Sequence, residues 1–325
     1  MEQEKIMEVH NLKKYFPVQS KVRMAPKSVK AVDDLSFDVY KGETFSLVGE
    51  SGCGKSTTGR CLIHLLQVTD GKIIYKGKDI TTITEKERRN LTQELQMIFQ
   101  DPYTSLNPRM TVGTIIEEPL LIHKICTSKE ERMQRGLEMM EKVGLRKDQY
   151  FRFPHEFSGG QRQRIGLARA LICNPSLVVC DEPVSALDVS IQSQVLNLLE
   201  EMKEEMGVTY IFISHNMSVV RYISDRIGVM YLGHLVELAE TEELYKNPLH
   251  PYTKALLSAV PEINPHIKKE QIILEGDIPS PINPPSGCVF HNRCPYATSE
   301  CGDAVPKFVE KDKGHFVACF REEQY

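Results

Sequence analysis

The residues with the most specific chemical content are Gly49-Glu50-Ser51-Gly52-Cys53-Gly54-Lys55-Ser56, which fit the pattern G-x-x-x-x-G-K-[ST]. Glycines at these positions let backbone N–H groups turn inward around phosphate oxygens. A helix that opens behind the loop adds partial positive charge at its N-terminus. In this chemistry Lys55 reaches the β- and γ-phosphates and the Ser56 hydroxyl binds Mg²⁺. Five further groups stand out. Asp181-Glu182 ends the apolar run Leu177–Cys180, at the place where α/β proteins put their chemistry. Gln100 ends Met97-Ile98-Phe99, and Ser214-His215-Asn216 ends Tyr210–Ile213. Ser158-Gly159-Gly160-Gln161 opens a helical pattern, a second helix N-terminus suited to an anion. Last, Cys288, Cys294, Cys301 and Cys319 crowd the end of the chain, and in a reducing compartment such a group suggests a metal site.

The elements that must position these residues follow from local pattern. Thr44–Val48 reads as a strand and Thr57–Leu66 as a helix with Leu62, Ile63, Leu65 and Leu66 available for burial, so strand, glycine loop and helix come in the required order. Met7–Tyr15 alternates weakly as an edge strand, and Val32, Leu35, Phe37 and Val39 mark another strand. Asp70-Gly71 and Lys76-Gly77 bracket a hairpin strand at Lys72–Tyr75, and Thr84–Leu95 is helical. After Gln100 the prolines at 102 and 108 break the chain, and helical patterns run to Val143 with Gly144 as the stop. Residues from about 101 to 157 therefore read as a helical subdomain inserted into an α/β core. Ile165, Ala168, Leu171 and Ile172 carry the next helix, which ends at Asn174-Pro175. Leu177–Cys180 is apolar throughout, as in the centre of a parallel sheet. A long helix over Ile191–Met206 and strands at 210–213 and 227–231 complete the core. From Asn247 prolines multiply, and the rest reads as an extension with little regular structure.

Bulk properties narrow the classes. The 325 residues are 41% apolar and 26% charged, a globular composition. A net charge of −4 gives no overall basic field for nucleic acid. No apolar run reaches the roughly 18 residues of a membrane span, and Met-Glu-Gln-Glu-Lys-Ile is not a signal sequence. The expectation is a cytoplasmic chain, peripheral if it works at a membrane. Six basic and no acidic residues fall between Lys13 and Lys30, read either as a solvated loop or as a contact with a partner or an anionic membrane face.

Gly49–Ser56, Gln100, Ser158–Gln161, Asp181-Glu182, Asp188 and His215, in this order, resemble the ATPases of the ATP-binding cassette (ABC) family over residues 5–245. Phe99-Gln100-Asp101-Pro102-Tyr103-Thr104-Ser105-Leu106-Asn107-Pro108, His250-Pro251-Tyr252-Thr253 and the terminal cysteines narrow the likeness to the ATPase subunits of oligopeptide and dipeptide importers, a group that includes nickel importers. The resemblance implies a P-loop NTPase cassette: a RecA-like mixed sheet with an antiparallel β edge, the inserted helical subdomain, and a small irregular extension at 246–325. It implies that Gly49, Glu50, Ser51, Gly52, Cys53, Gly54, Lys55, Ser56 and Thr57 bind ATP and that Tyr15 stacks on adenine, although Tyr15 taken alone is equally a packing residue. Mg²⁺ would be held by Ser56, Gln100 and Asp181, with Gln100 relaying state to membrane subunits. Glu182 would polarise the attacking water and His215 contact the γ-phosphate. Ser158, Gly159, Gly160 and Gln161 would complete the ATP site of a second ATPase subunit across a head-to-tail dimer lined by Asp188. The implied enzyme is a translocase-class ATPase on the cytoplasmic face of the cell membrane. It would work with two multi-span permease subunits, with a second ABC ATPase as heterodimer or homodimer, and indirectly with an extracellular peptide-binding protein, not with nucleic acid. Phe157 stands where the wider family usually has Leu, and Asn216 where Asp is common; neither replaces a phosphate-contacting group.

Other readings fit less well. A soluble ABC ATPase acting on ribosomes or DNA usually carries two cassettes or a coiled-coil insert, and this chain has one cassette and no heptads. A small-molecule kinase does not explain the Ser158–Gln161 helix. For the four cysteines the candidates are a [4Fe–4S] cluster, zinc, or reduced structural thiols. Zinc fingers pair cysteines two to four residues apart, whereas five residues separate Cys288 from Cys294 and six separate Cys294 from Cys301. The wider spacing and the resemblance both point to the cluster, whose role would be to fold an extension too poor in apolar surface for its own core.

Overall fold

The computed structural model describes residues 3–18, 27–261 and 270–321, with Pro102 described for its backbone alone. Lys21 and Arg23 of the basic stretch lie outside the described residues. In chain order the elements are β1 (Lys5–Pro17), β2 (Ser28–Tyr40), β3 (Thr44–Val48), α1 (Lys55–Leu62), β4 (Asp70–Tyr75), β5 (Lys78–Asp79), α2 (Glu85–Glu94), β6 (Leu95–Ile98), α3 (Pro102–Ser105), α4 (Val112–Ile122), α5 (Lys129–Lys142), α6 (Gly159–Leu171), β7 (Leu177–Asp181), α7 (Val189–Met206), β8 (Thr209–Ser214), α8 (Met217–Ile223), β9 (Arg226–Tyr231), β10 (His234–Glu240), α9 (Thr241–Lys246), α10 (Pro251–Ser258), α11 (Ser299–Asp303), β11 (Val309–Asp312) and β12 (His315–Val317). They form two compact units, residues 1–81 with 214–325 and residues 82–213. No helix among the described residues is long and apolar enough to cross a membrane.

In the first unit an antiparallel sheet runs β2-β1-β4-β5. Its apolar positions face one side, but Val32 and Leu35 are three apart rather than two. The register of β1 against β2 shifts between Val9 and Leu12. Asn11 and Asp34 take left-handed backbone there, at φ 48° and 62°, and Asn11 Nδ2 donates to Asp34 Oδ1 at 2.8 Å. The bulge restores alternation, so Val32, Leu35, Phe37 and Val39 are all buried. A mixed sheet in the same unit runs β11-β12-β10-β9-β3. β9 lies parallel to β3, with Phe45 opposite Arg226; β10 and β12 add antiparallel.

The extension is more regular than its prolines suggested. Pro251 opens α10 at the first helical position, where its missing N–H costs nothing, and His250 caps it. β12 pairs with β10. Phe290, 1% exposed, packs against Tyr231, Tyr252 and His250 at ring-centroid distances of 5.1, 5.4 and 5.5 Å. Leu65, expected in the core, is 49% exposed because α1 stops at Leu62.

In the second unit β6, β7 and β8 are parallel neighbours. Every residue of β7 and β8 is buried, as the uniform apolar runs required. Helices α3 to α6 gather in the same unit, with α4 against α5 and both α3 and α4 against α6.

Candidate functional site

The glycine loop is built from β3, whose five residues are all buried. Gly49 and Gly54 have φ of 148° and 108°. A Cβ on either would sit 2.1 Å from a backbone oxygen, of Met230 and of Ala31 respectively, so only glycine fits. α1 begins at Lys55, and its N-cap Gly54 supplies no side-chain acceptor, the kind of helix start at which anions bind. Lys55 is 4% exposed. Its Nζ donates to the carbonyls of Gly49 and Glu50 at 2.7 and 3.0 Å. Cys53 Sγ lies 3.7 Å from the same ammonium; burial pushes its thiol up, with Lys55 pulling the other way. Ser56 and Thr57 are half-buried, and Ser51 and Gly52 are exposed.

Two contacts to this loop were not anticipated. The Glu50 N–H donates to the Tyr252 hydroxyl at 2.8 Å. Arg293 grips the Glu50 carboxylate with both ends of its guanidinium, at 2.7 and 3.1 Å. The only signal in the sequence was that Tyr252 belongs to a stretch that narrowed the resemblance and that Arg293 stands beside Cys294 of the terminal cysteines.

Tyr15 is half-buried on β1, its hydroxyl bonded to Asp33. Lys30 bonds Asp33 at 3.1 Å and lies 5.6 Å from the Tyr15 ring centroid. His215 follows β8 and is exposed. Asn216 caps α8, accepting from the Ser218 N–H at 3.0 Å, a task Asn and Asp perform equally well.

The remaining residues belong to the second unit. Asp181 is buried at the end of β7. Glu182 follows with φ 47°, a conformation that costs a non-glycine residue about 1–3 kcal/mol and collects at functional sites. Its N–H donates to the Ile213 carbonyl at 2.9 Å. Gln100 Nε2 donates to Glu182 Oε2 at 2.9 Å, so Gln100, expected at the cation, meets the carboxylate expected to act as base. The N-terminus of α6 is capped rather than bare: Ser158 Oγ accepts from the Gln161 N–H at 3.3 Å and Gln161 Oε1 from the Ser158 N–H at 3.1 Å. A Cβ on Gly160 would lie 2.3 Å from Ile191 Cγ2, while Gly159 has 3.6 Å to its nearest neighbour. Asp188 caps α7, and the hydrogen bonds from the Ile191 N–H and Ser190 hydroxyl hold its carboxyl below the usual range.

The expected [4Fe–4S] cluster, with its zinc alternative, is corrected. Among the described residues no group of three or more His, Cys, Asp or Glu is placed to hold a metal ion. Burial pushes the Cys288 thiol up to about 11 and also raises that of Cys294. Cys301 Sγ is within 3.4 Å of the Thr298 hydroxyl. The irregular cysteine spacing follows local turns instead, a 3₁₀ turn at His291–Arg293 and α11. The stated role for a cluster also falls away, since β12 and Phe290 bind the extension into the core of its unit.

A search of protein families matches residues 32–185 to the ABC transporter family and residues 236–301 to the C-terminal region of oligopeptide/dipeptide transporters. The chain is 55% identical to the oligopeptide transport ATP-binding protein AppF of Bacillus subtilis, over 98% of this chain and 97% of that one. It is 52% identical to the oligopeptide transport ATP-binding protein OppF of Salmonella typhimurium, over 99% and 98% of the two chains. For the dipeptide transport ATP-binding protein DppF of Haemophilus influenzae the identity is 50%, over 95% and 94%. Among solved structures, the dimeric post-hydrolysis state of the ATP-binding cassette MJ0796 with ADP and Pi superposes at TM-score 0.65 and 27% identity, covering 72% of this chain and 98% of that one.

Proposed function

The chain belongs to the ATP-binding proteins of oligopeptide and dipeptide ABC transporters, and from that premise we propose that it hydrolyses ATP to drive import of short peptides. The observation that carries the reading is the glycine loop, with Lys55 buried behind it, on a chain that matches peptide-transport ATPases from end to end.

The site fits its substrate. Gly49 and Gly54 leave room only for backbone, and the uncapped start of α1 faces the loop they make. Lys55 exchanges its two carbonyl partners for phosphate oxygens. The hydroxyl of Ser56 and the carboxylate of Asp181 are each a hard oxygen donor of the kind Mg²⁺ takes; the ion would supply charge neutralisation for the transferring phosphoryl group. Glu182, held by Gln100, polarises the attacking water, and His215 contacts the γ-phosphate. Tyr15 stacks on the base. Ser158–Gln161 of one subunit complete the site of the next, with Asp188 at their interface. Residues 5–245 form the cassette and 246–325 its extension. The partners are multi-span permease subunits at the cytoplasmic face of the membrane, a second ABC ATPase in a heterodimer or homodimer, and indirectly an extracellular peptide-binding protein.

The test is complementation. In a bacterium deleted for its oligopeptide-transport ATPase subunits, this chain, co-expressed with its genomic neighbours, should restore uptake of a labelled tripeptide. Restored uptake with Lys55→Ala would sink the assignment of the loop, and no uptake with the intact set would sink the cargo.

A further inference from the structure

Glu50 puts a negative charge inside the loop expected to receive a triphosphate. A lone carboxylate there repels the ligand, because like charges a few ångströms apart interact strongly where water is partly excluded. The protein answers that charge from the far end of the chain. Both guanidinium ends of Arg293 meet both carboxylate oxygens of Glu50, at 2.7 and 3.1 Å, the paired geometry of strong carboxylate recognition. The Arg293 side chain is 7% exposed and that of Glu50 26%. Arg293 also lies over the Tyr231 ring at 5.9 Å, with the Tyr231 hydroxyl 3.5 Å from Nη1. Tyr231 packs edge-on against Tyr252 at 4.9 Å, and Tyr252 takes the Glu50 N–H. Backbone and side chain of one loop residue are thus both fixed by groups that reach it from 202 and 243 residues away.

We propose that Arg293 is a positioning residue for nucleotide binding: it neutralises Glu50, so that the C-terminal extension sets the affinity of the phosphate loop for MgATP. The proposal rests on the ATPase reading above. It assigns the extension a part in the ATP cycle through a defined ion pair. Movement of the segment that carries Arg293 would expose the Glu50 charge to the phosphates and favour their release.

The full-length chain is tested as four proteins: wild type, Glu50→Gln, Arg293→Gln, and the double variant. MgATP hydrolysis is followed for kcat and KM. Arg293→Gln should raise KM about tenfold, a difference of about 1.4 kcal/mol, with kcat changed less than about threefold, since the charge acts on bound substrate and transition state alike. The double variant should return KM to within about threefold of Glu50→Gln alone, because the charge that needed Arg293 is gone. An unchanged KM in Arg293→Gln overturns the proposal. So does a double variant as poor as Arg293→Gln, which would mean that Arg293 only holds the extension in place. If Arg293→Gln does not fold, Glu50→Gln decides alone: it should lower KM about threefold or more by leaving Arg293 unopposed beside the phosphates, and an equal or higher KM overturns the proposal. Wild-type protein without any ATPase activity is a different failure, that of the functional reading.

Discussion

At the scale of single residues, Glu182 and Lys55 separate catalysis from binding. Glu182→Gln keeps an oxygen that can accept from Gln100 Nε2, now 2.9 Å away, so the local geometry survives while the proposed base is lost. Turnover should fall by about 10²–10⁴ with ATP affinity retained. Rapid-quench hydrolysis beside equilibrium binding checks both, and turnover within about threefold of wild type would falsify the role of Glu182. On the proposed reading, Lys55→Ala removes an ammonium that pairs phosphates in ground and transition states alike. Affinity and hydrolysis should fall together, and unchanged affinity by calorimetry would count against the loop as the phosphate site. What was legible at this scale was local. Eight consecutive residues spell the glycine loop, and Asp181-Glu182 sits at the end of an unbroken apolar run. Arg293 and Tyr252 were not legible as partners of Glu50, because hydrogen bonds across 243 and 202 residues leave no pattern along the chain.

Elements were legible where one face or both faces are buried. β3 coincides with the run read from its composition, and β7 extends its run by Asp181 alone. β11 and β12 were hidden, because β11 is mostly exposed and charged and β12 has three residues. The break in alternation between Val32 and Leu35 had a cause that only the paired strands reveal, the left-handed Asp34. Helix α6 offers the clearest test. Gly160 faces α7 so closely that an added Cβ would lie 2.3 Å from Ile191 Cγ2. Gly160→Ala should therefore lose about 1–3 kcal/mol by overpacking, despite the better helix propensity of alanine. Urea unfolding measures it, and Ile191→Ala in the same background should recover part of the loss. If Gly160→Ala is as stable as wild type, α6 and α7 do not pack this closely.

For the molecule as a whole, the extension ties pH to stability through two buried histidines beside one carboxylate. Glu237 accepts the Leu249 and His250 N–H groups at 2.7 and 2.9 Å and bonds His315 at 2.8 Å. Burial pushes His250 down to about 4, and its neutral Nδ1 accepts the Tyr252 N–H at 3.1 Å. An unfolded chain takes up this proton near 6.5, so the stability from a neutral His250 is present above that pH and is lost as pH falls from 6.5 towards 4, by up to about 3 kcal/mol. His315 has the opposite sign. Burial opposes its charge, but Glu237 raises its pKa, so its contribution is full below 6.5 and is lost as pH rises through the folded value. His250→Asn keeps a capping acceptor without a titrating ring and should flatten the acid side of the stability curve; an unchanged slope between pH 6.5 and 4.5 would exclude His250 as its source. The first unit has one more consequence, in time rather than energy. β3 lies beside β9, and the Thr44 N–H donates to the Asp225 carboxylate, 181 residues further on. At about 5–20 residues per second on the ribosome, roughly 9–36 s pass between the synthesis of the two. Through that interval the strand that carries the glycine loop waits for its neighbour with an open edge, the condition in which strands pair with the wrong chain.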